Sequence, residues 1–189
     1  MFSALFLCAL TAPAGELSGR RAPGFTLPDP NVNYHDLYDY RGKVVLLDII
    51  QTSCPACNAS QKVYEKIRLK YPDKVQILAV VTAPDNADTV RAFIQNNGVK
   101  TPVLYDMGQM IASYLKLTPR NTTVALPHLF LIDAKGMIRN DWEYKGGNEK
   151  YFEQLDPLLN EVTPLVNEIG GAAPAVKGPA AAPKSAAKK

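Results

Sequence analysis

The sequence predicts an α/β sandwich built around a mixed sheet, and three observations point there. Two nearly continuous β-branched and leucine runs, "KVVLLDII" (Lys43 to Ile50) and "VQILAVVT" (Val75 to Thr82), read as strands buried on both faces of a sheet. Each is followed by a stretch of helical character, the alternation that builds strand–helix–strand units. Near the end, "HLFLID" (His128 to Asp133) and "MIRNDWEY" (Met137 to Tyr144) flank Ala134-Lys135-Gly136, which suits a hairpin turn and adds antiparallel strands.

The remaining elements follow in chain order. Pro55 to Tyr71 carries apolar residues at Val63, Tyr64, Ile67 and Leu69 and is stopped by Pro72-Asp73, so it reads as a helix. "NADTVRAFIQNNG" is a helix closed by Gly98, a residue suited to the left-handed position after a helix. Pro102 to Tyr105 and Gly108 to Leu117 read as a short strand and a short helix. Asn148 is expected to cap a last helix that its interior Pro157 breaks or kinks. Trp142, the only tryptophan, is expected in core or sheet packing.

With 189 residues, 47% of them hydrophobic, the chain can bury one sizeable core, and the expected domain runs over residues 20–169. Residues 170–189 form an Ala/Pro/Lys-rich tail, "AAPAVKGPAAAPKSAAKK" from Ala172, without the periodicity to build a core; it is expected to be disordered. The formal charge of +3 owes four units to Lys177, Lys184, Lys188 and Lys189, so the rest is near −1. No concentrated basic face remains for a phosphate backbone, which excludes nucleic-acid binding. Residues 1–19 read as a signal peptide and leader. The apolar "MFSALFLCALTAPA" closes on Ala12-Pro13-Ala14, a small-residue cleavage pattern, although no Lys or Arg precedes it. The run is too short to span a bilayer, so no membrane span is expected in the mature chain. The expected location is periplasmic or otherwise extracytoplasmic, and cytoplasmic if the run is not a signal. Cleavage would remove Cys8 and leave Cys54 and Cys57.

Those two cysteines stand in "DIIQTSCPACNASQKVYEKI", two residues apart, where a buried strand meets a helix. Three readings are open. A structural staple closing so small a loop removes little chain entropy. A zinc site wants about four ligands, and only His35 and His128 accompany the pair, with no second CxxC. A redox pair has the stronger physical warrant: a helix N-terminus offers free amides and partial positive charge that favour a thiolate at Cys54, and Cys57 lies about one turn inside. Pro55 suits the first turn, which needs no amide proton there. Asp48, six residues before Cys54 in an apolar strand, is expected to be buried with a raised pKa and to exchange protons with the inner thiol; the alternative is a core aspartate bonded to backbone. Pro127 heads a central strand, which a cis bond at Leu126-Pro127 would explain.

With "CPAC", the upstream aspartate and "LPHLFLIDAKGMI" in place, the chain resembles thioredoxin-fold proteins. More specifically it is similar to the TlpA/ResA group of extracytoplasmic thiol-disulfide oxidoreductases, within the alkyl hydroperoxide reductase/thiol-specific antioxidant superfamily. "APGFTLPD" followed by "LYDYRGKVVLLDI" matches that group's N-terminal hairpin and lead-in strand, and an extra strand and helix, Thr101 to Leu117, precede the proline. The resemblance implies a three-layer α/β/α sandwich. It makes Cys54 the nucleophile, Cys57 the resolving cysteine, Asp48 the buried acid and Pro127 a cis-proline opposite the pair. Leu126 would offer its backbone to an extended substrate segment, with Ser53, Pro55 and Ala56 beside it. No resident cofactor or metal is implied beyond a redox-active Cys54–Cys57 disulfide; the partners would be protein disulfides or dithiols and an upstream thiol donor, and the chain is expected to be a monomer. Ser53 stands where tryptophan commonly precedes the first cysteine, and His128 where threonine is frequent; both bear on partner preference and reduction potential. His128 is expected to face the active surface without being catalytic.

Two other functions compete. A peroxiredoxin-like thiol peroxidase, an antioxidant role in the same superfamily, would place threonine or serine three residues before its cysteine and proline four before that; here Gln51 and Leu47 hold those positions. A copper-binding chaperone on this fold typically joins a three-residue cysteine spacing to a distant histidine, whereas the spacing here is two.

Overall fold

The buried runs become strands and the amphipathic stretches helices. The computed structural model describes residues 15–169; the leader's cleavage pattern, Cys8 and the lysine-bearing tail lie outside the described residues. A hairpin of β1 (Thr26–Pro28) and β2 (Tyr34–Asp36) leads through a single 3-10 turn (Leu37–Tyr40) into β3 (Val44–Ile49). Then come α1 (Pro55–Lys70), β4 (Val75–Val81), α2 (Ala87–Asn97), β5 (Val103–Tyr105), α3 (Gln109–Leu115), β6 (His128–Ile132), β7 (Ile138–Glu143), α4 (Lys150–Glu153) and α5 (Leu155–Glu168).

The main sheet has the order β5-β4-β3-β6-β7. β3 is its centre, parallel to β4 and antiparallel to β6, with Leu47 opposite Leu78 on one side and Phe130 on the other. All six β3 residues are buried, as a strand covered on both faces requires. Their alternation sorts them into two layers. Val45, Leu47 and Ile49 pack with Phe25 and Leu37 of the hairpin region and Met110, Ile111 and Tyr114 of α3. Val44 and Leu46 pack with Val63, Tyr64 and Ile67 of α1 and Leu158 and Val162 of α5. Asp48, two residues after Leu46, therefore faces α1. On that same side Val90 and Phe93 of α2 join Ile50, Cys57 and Ala79. Three layers result, as the resemblance implies.

Gly98 ends α2 at φ 60, the left-handed cap expected of it. Trp142 is buried and stacks on Tyr151 at 4.4 Å between ring centroids. The C-terminal helix differs from expectation. Asn148 does not cap it; Glu149 holds the cap position of α4 without a side-chain bond. The chain is extended at Gln154, φ −120 and ψ 139, and α5 starts afresh at Leu155. Pro157 thus sits in a first turn, where no amide is needed, because its ring would clash with the Glu153 carbonyl of a continuous helix. Packing also begins ahead of residue 20, since Gly19 donates its N–H to the Ile138 carbonyl at 2.9 Å.

Candidate active site

The chain leaves β3 at Ile49, turns through Gln51 to Ser53, and enters α1 with Cys54 as its cap. Cys54 is extended, φ −80 and ψ 118, and its sulfur accepts the N–H of Cys57 at 3.3 Å. The side chain therefore takes the place of a capping oxygen at the positive end of a sixteen-residue helix. Pro55 follows in the first turn, where its missing amide costs nothing. The Leu126 carbonyl lies 3.9 Å from the Cys54 sulfur, in reach of its thiol proton. The Leu126–Pro127 bond is cis, as is Ala83–Pro84, which the sequence reading did not single out. Pro127 is tied to the end of β7 by the Tyr144 N–H, which donates to its carbonyl at 3.1 Å.

The turn before Cys54 is held from a distance. Asp85, just ahead of α2, accepts the Thr52 N–H at 3.0 Å and also bonds the Thr52 hydroxyl. Asn58 reaches back to the Thr52 carbonyl at 3.4 Å and accepts from Asn97 at 3.0 Å. No local pattern marks Asp85; only the fold brings it to Thr52, 33 residues away.

The two sulfurs differ in setting. Neither is in a disulfide; Cys54 is half-buried and Cys57 fully buried. Burial first, and then the negative charge of Asp48, pushes the Cys57 thiol far up, so it holds its proton at neutral pH. Asp48 is itself completely buried, and neither carboxyl oxygen has a hydrogen-bond partner among the described residues. That removes the alternative of a carboxylate satisfied by backbone. Burial raises its pKa from 3.8 to about 8, and the nearby Tyr64 hydroxyl, short of hydrogen-bond geometry, offsets only part of that rise. The same burial, with the Asp48 charge, drives Tyr64 upward. Cys57, Ser60, Gln61 and Tyr64 share the face of α1 that meets this carboxyl group, at the spacing one face of a helix requires. The Ser60 hydroxyl and the Gln61 amide are both spent on the Cys57 carbonyl, at 2.9 and 3.2 Å.

The fold thus brings Cys54, Cys57, Asp48, Leu126 and Pro127 to one end of the sheet, with exposed Ser53 and Pro55 and half-buried Ala56 on the rim. His128 corrects an expectation. It is buried rather than facing the active surface, stacked on Phe130 at 4.7 Å with Nε2 3.3 Å from Asp141. The pleat explains this, because His128 shares the parity of Phe130 and points toward the α3 layer. Among the described residues no group of three or more His, Cys, Asp or Glu comes together as a metal site.

Residues 18–141 match the model of the AhpC/TSA family. The chain belongs to the AhpC/TSA family. Within it, the chain is 30% identical over 145 residues to the thiol-disulfide oxidoreductase ResA of Bacillus anthracis, covering 77% of this chain and 78% of the relative. It is also 30% identical over 128 residues to the thioredoxin-like protein YneN of Bacillus subtilis, 67% of this chain and 71% of that one. A secreted Mycobacterium tuberculosis disulfide oxidoreductase homologous to DsbE superposes with a TM-score of 0.61 at 19% identity, over 75% of this chain and 96% of its own. The thioredoxin domain of a Bacteroides vulgatus thiol-disulfide oxidoreductase gives 0.59 at 20% identity, over 77% and 97%. These two likenesses place this AhpC/TSA chain in the thioredoxin fold, and the sequence relatives make it ResA-like.

Proposed function

We propose that the chain is a thiol-disulfide oxidoreductase in which Cys54 attacks and Cys57 resolves. The observation that carries the reading is the asymmetry of the pair: one sulfur half-exposed at the head of α1, accepting an amide proton, and the other buried one turn inside beside an unpaired carboxyl group. The names of the ResA relatives support it.

In the forward direction the Cys54 thiolate attacks a partner disulfide, forming a mixed disulfide and releasing one partner thiolate. Cys57 then gives its proton to Asp48 and attacks the Cys54 sulfur. The Cys54–Cys57 disulfide forms, the second partner thiolate leaves, and the partner has gained two electrons. An upstream dithiol donor restores the pair, so no resident cofactor is needed. The Leu126 backbone and Pro127 receive the partner as an extended segment, and Ser53, Pro55 and Ala56 form the rim it crosses. An extracytoplasmic location rests on the Ala12-Pro13-Ala14 pattern and on the likeness to a secreted relative.

The test is Cys57→Ser, expressed in the native host and recovered after acid quenching. Partner proteins should accumulate on Cys54 as mixed disulfides that vanish with reductant and are absent from Cys54→Ser. If no adduct forms and the wild-type pair never cycles between dithiol and disulfide, the reading fails. Rapid peroxide consumption by the reduced protein would favour the peroxidase instead.

A further inference from the structure

Asp48 poses a problem that the exchange mechanism leaves open. If it takes the proton of Cys57, that proton must later leave a carboxyl group with no exposure to solvent. The neighbours of Asp48 within the sheet are Ala79 and Leu129, which carry no protons to exchange. From α1 the facing titratable groups are Cys57 and Tyr64, with Cys54 at the helix head.

Tyr64 is the unusual one. It sits among apolar side chains and is 1% exposed, where phenylalanine would pack equally well. Yet among the described residues its hydroxyl finds no hydrogen-bond partner, beside a carboxyl group that finds none either. A buried, unpaired hydroxyl is costly, and two such groups side by side compound the cost. Tyr64 also bounds a cavity of about 390 Å³ between α1 and the loop after α2, lined by Gln61, Glu65, Lys100 and Thr101. The Thr101 hydroxyl there is likewise buried and has no partner among the described residues. Tyr64 therefore neighbours the enclosed acid and also lines an open cavity.

We propose that Tyr64 is a positioning residue for the exchange reaction, its hydroxyl carrying the proton between Asp48 and the cavity bounded by Gln61, Glu65, Lys100 and Thr101. The inference rests on the redox reading of Cys54 and Cys57. When Cys57 attacks, its proton passes to Asp48. The Tyr64 oxygen then accepts that proton as its own hydrogen passes to solvent water entering the cavity, so the tyrosine ends unchanged and Asp48 is again a base. With Asp48 ionised, the same hydroxyl donates to the carboxylate and holds down its affinity for the proton.

The two chemical steps can be read apart with a nitrobenzoate disulfide reagent at one equivalent. A first release of coloured thiolate reports attack by Cys54, and a second reports resolution by Cys57. In wild type the second phase should accelerate with pH, with a midpoint near that of Asp48. Tyr64→Phe keeps the ring and removes one oxygen. Its second phase should shift to a higher midpoint and slow roughly 3- to 10-fold at pH 7, the effect of up to one unit in the midpoint, while the first phase is unchanged. In an Asp48→Asn background, Tyr64→Phe should add nothing. A second phase identical to wild type at every pH, or an equal slowing with and without Asp48, overturns the proposal. A wild type that shows no second release overturns the redox reading itself, whatever Tyr64 does.

Discussion

Asp48→Asn should make the reduced protein more stable at neutral pH while making it a poorer catalyst. The carboxyl group is completely buried, has no hydrogen-bond partner among the described residues, and its pKa rises from 3.8 to about 8. A raised pKa means that the folded state holds a proton the unfolded state has already lost. Stability is then greatest below the unfolded value and falls as pH climbs through the window from 3.8 to about 8. At ~1.4 kcal/mol per unit the loss totals roughly 6 kcal/mol across the window, about 4 of it by pH 7. Asparagine is never charged, so the slope vanishes. It leaves an unpaired amide at a cost of about 1–3 kcal/mol, and the net gain at pH 7 is roughly 1–3 kcal/mol. Cys57 does not blur the window, because its thiol is pushed far above it. Urea unfolding of the reduced protein at pH 4 to 9 measures both curves, and the variant should start below wild type near pH 4, cross it, widen its advantage up to about pH 8 and hold it constant above. Because the asparagine penalty is constant, that widening is independent of it. Parallel curves would refute the argument, since they would mean that Asp48 titrates alike folded and unfolded.

Other outcomes follow from the same geometry. Asp48→Asn should also slow release from a mixed disulfide by on the order of 100-fold, the effect of losing a positioned base, with attack by Cys54 preserved; stopped-flow thiolate release separates the two. Asp85→Ala removes the bonds to Thr52 and Thr89, which should cost about 1–2 kcal/mol in thermal unfolding and slow the first attack by loosening the turn before Cys54. Phe130→Ala empties the central strand pair where the ring meets Tyr114 at 5.2 Å, and chemical denaturation should register a loss of about 3–5 kcal/mol. Gly98→Ala forces an L side chain into φ 60 with open space around it, so its cost should be purely conformational, about 1 kcal/mol in the same assay, with activity unchanged.

What was legible beforehand divides by range of interaction. The strands and helices around Cys54 announce themselves through local periodicity, and the spacing of Asp48 to Cys54 suffices to place a carboxyl group near the pair. Pro127 is visible because proline at the head of a central strand needs a reason. Tyr64 is not visible, since at its helical position it reads as one more core aromatic, and only the pleat of β3 aims Asp48 at it. Asp85 is hidden for a related reason, because its partner Thr52 lies across a loop-to-loop contact with no sequence signature. His128 misled because strand parity, which turns it toward Phe130 and Asp141, depends on the register of β6 against β3. The last helix was half legible: Pro157 signalled a break, but whether the chain bends at the proline or restarts before it is decided by where Phe152 and Leu158 must reach the core.

The asymmetry between the two sulfurs follows from where α1 starts. Starting at Cys54 leaves that sulfur at the rim, with the Cys57 amide pointing at it and the Leu126 carbonyl alongside. The same helix carries Cys57 inward to a carboxyl group that cannot easily ionise. Two consequences are linked by this. The outer sulfur is available to an incoming disulfide, while the inner one stays protonated and does not compete for it. Once the outer sulfur is tied up in a mixed disulfide, the inner thiol becomes reactive only when Asp48 is free to take its proton. Asp48 therefore acts as a gate on resolution but not on capture, which is why the two steps should separate in pH, and why a variant that is more stable should also be slower.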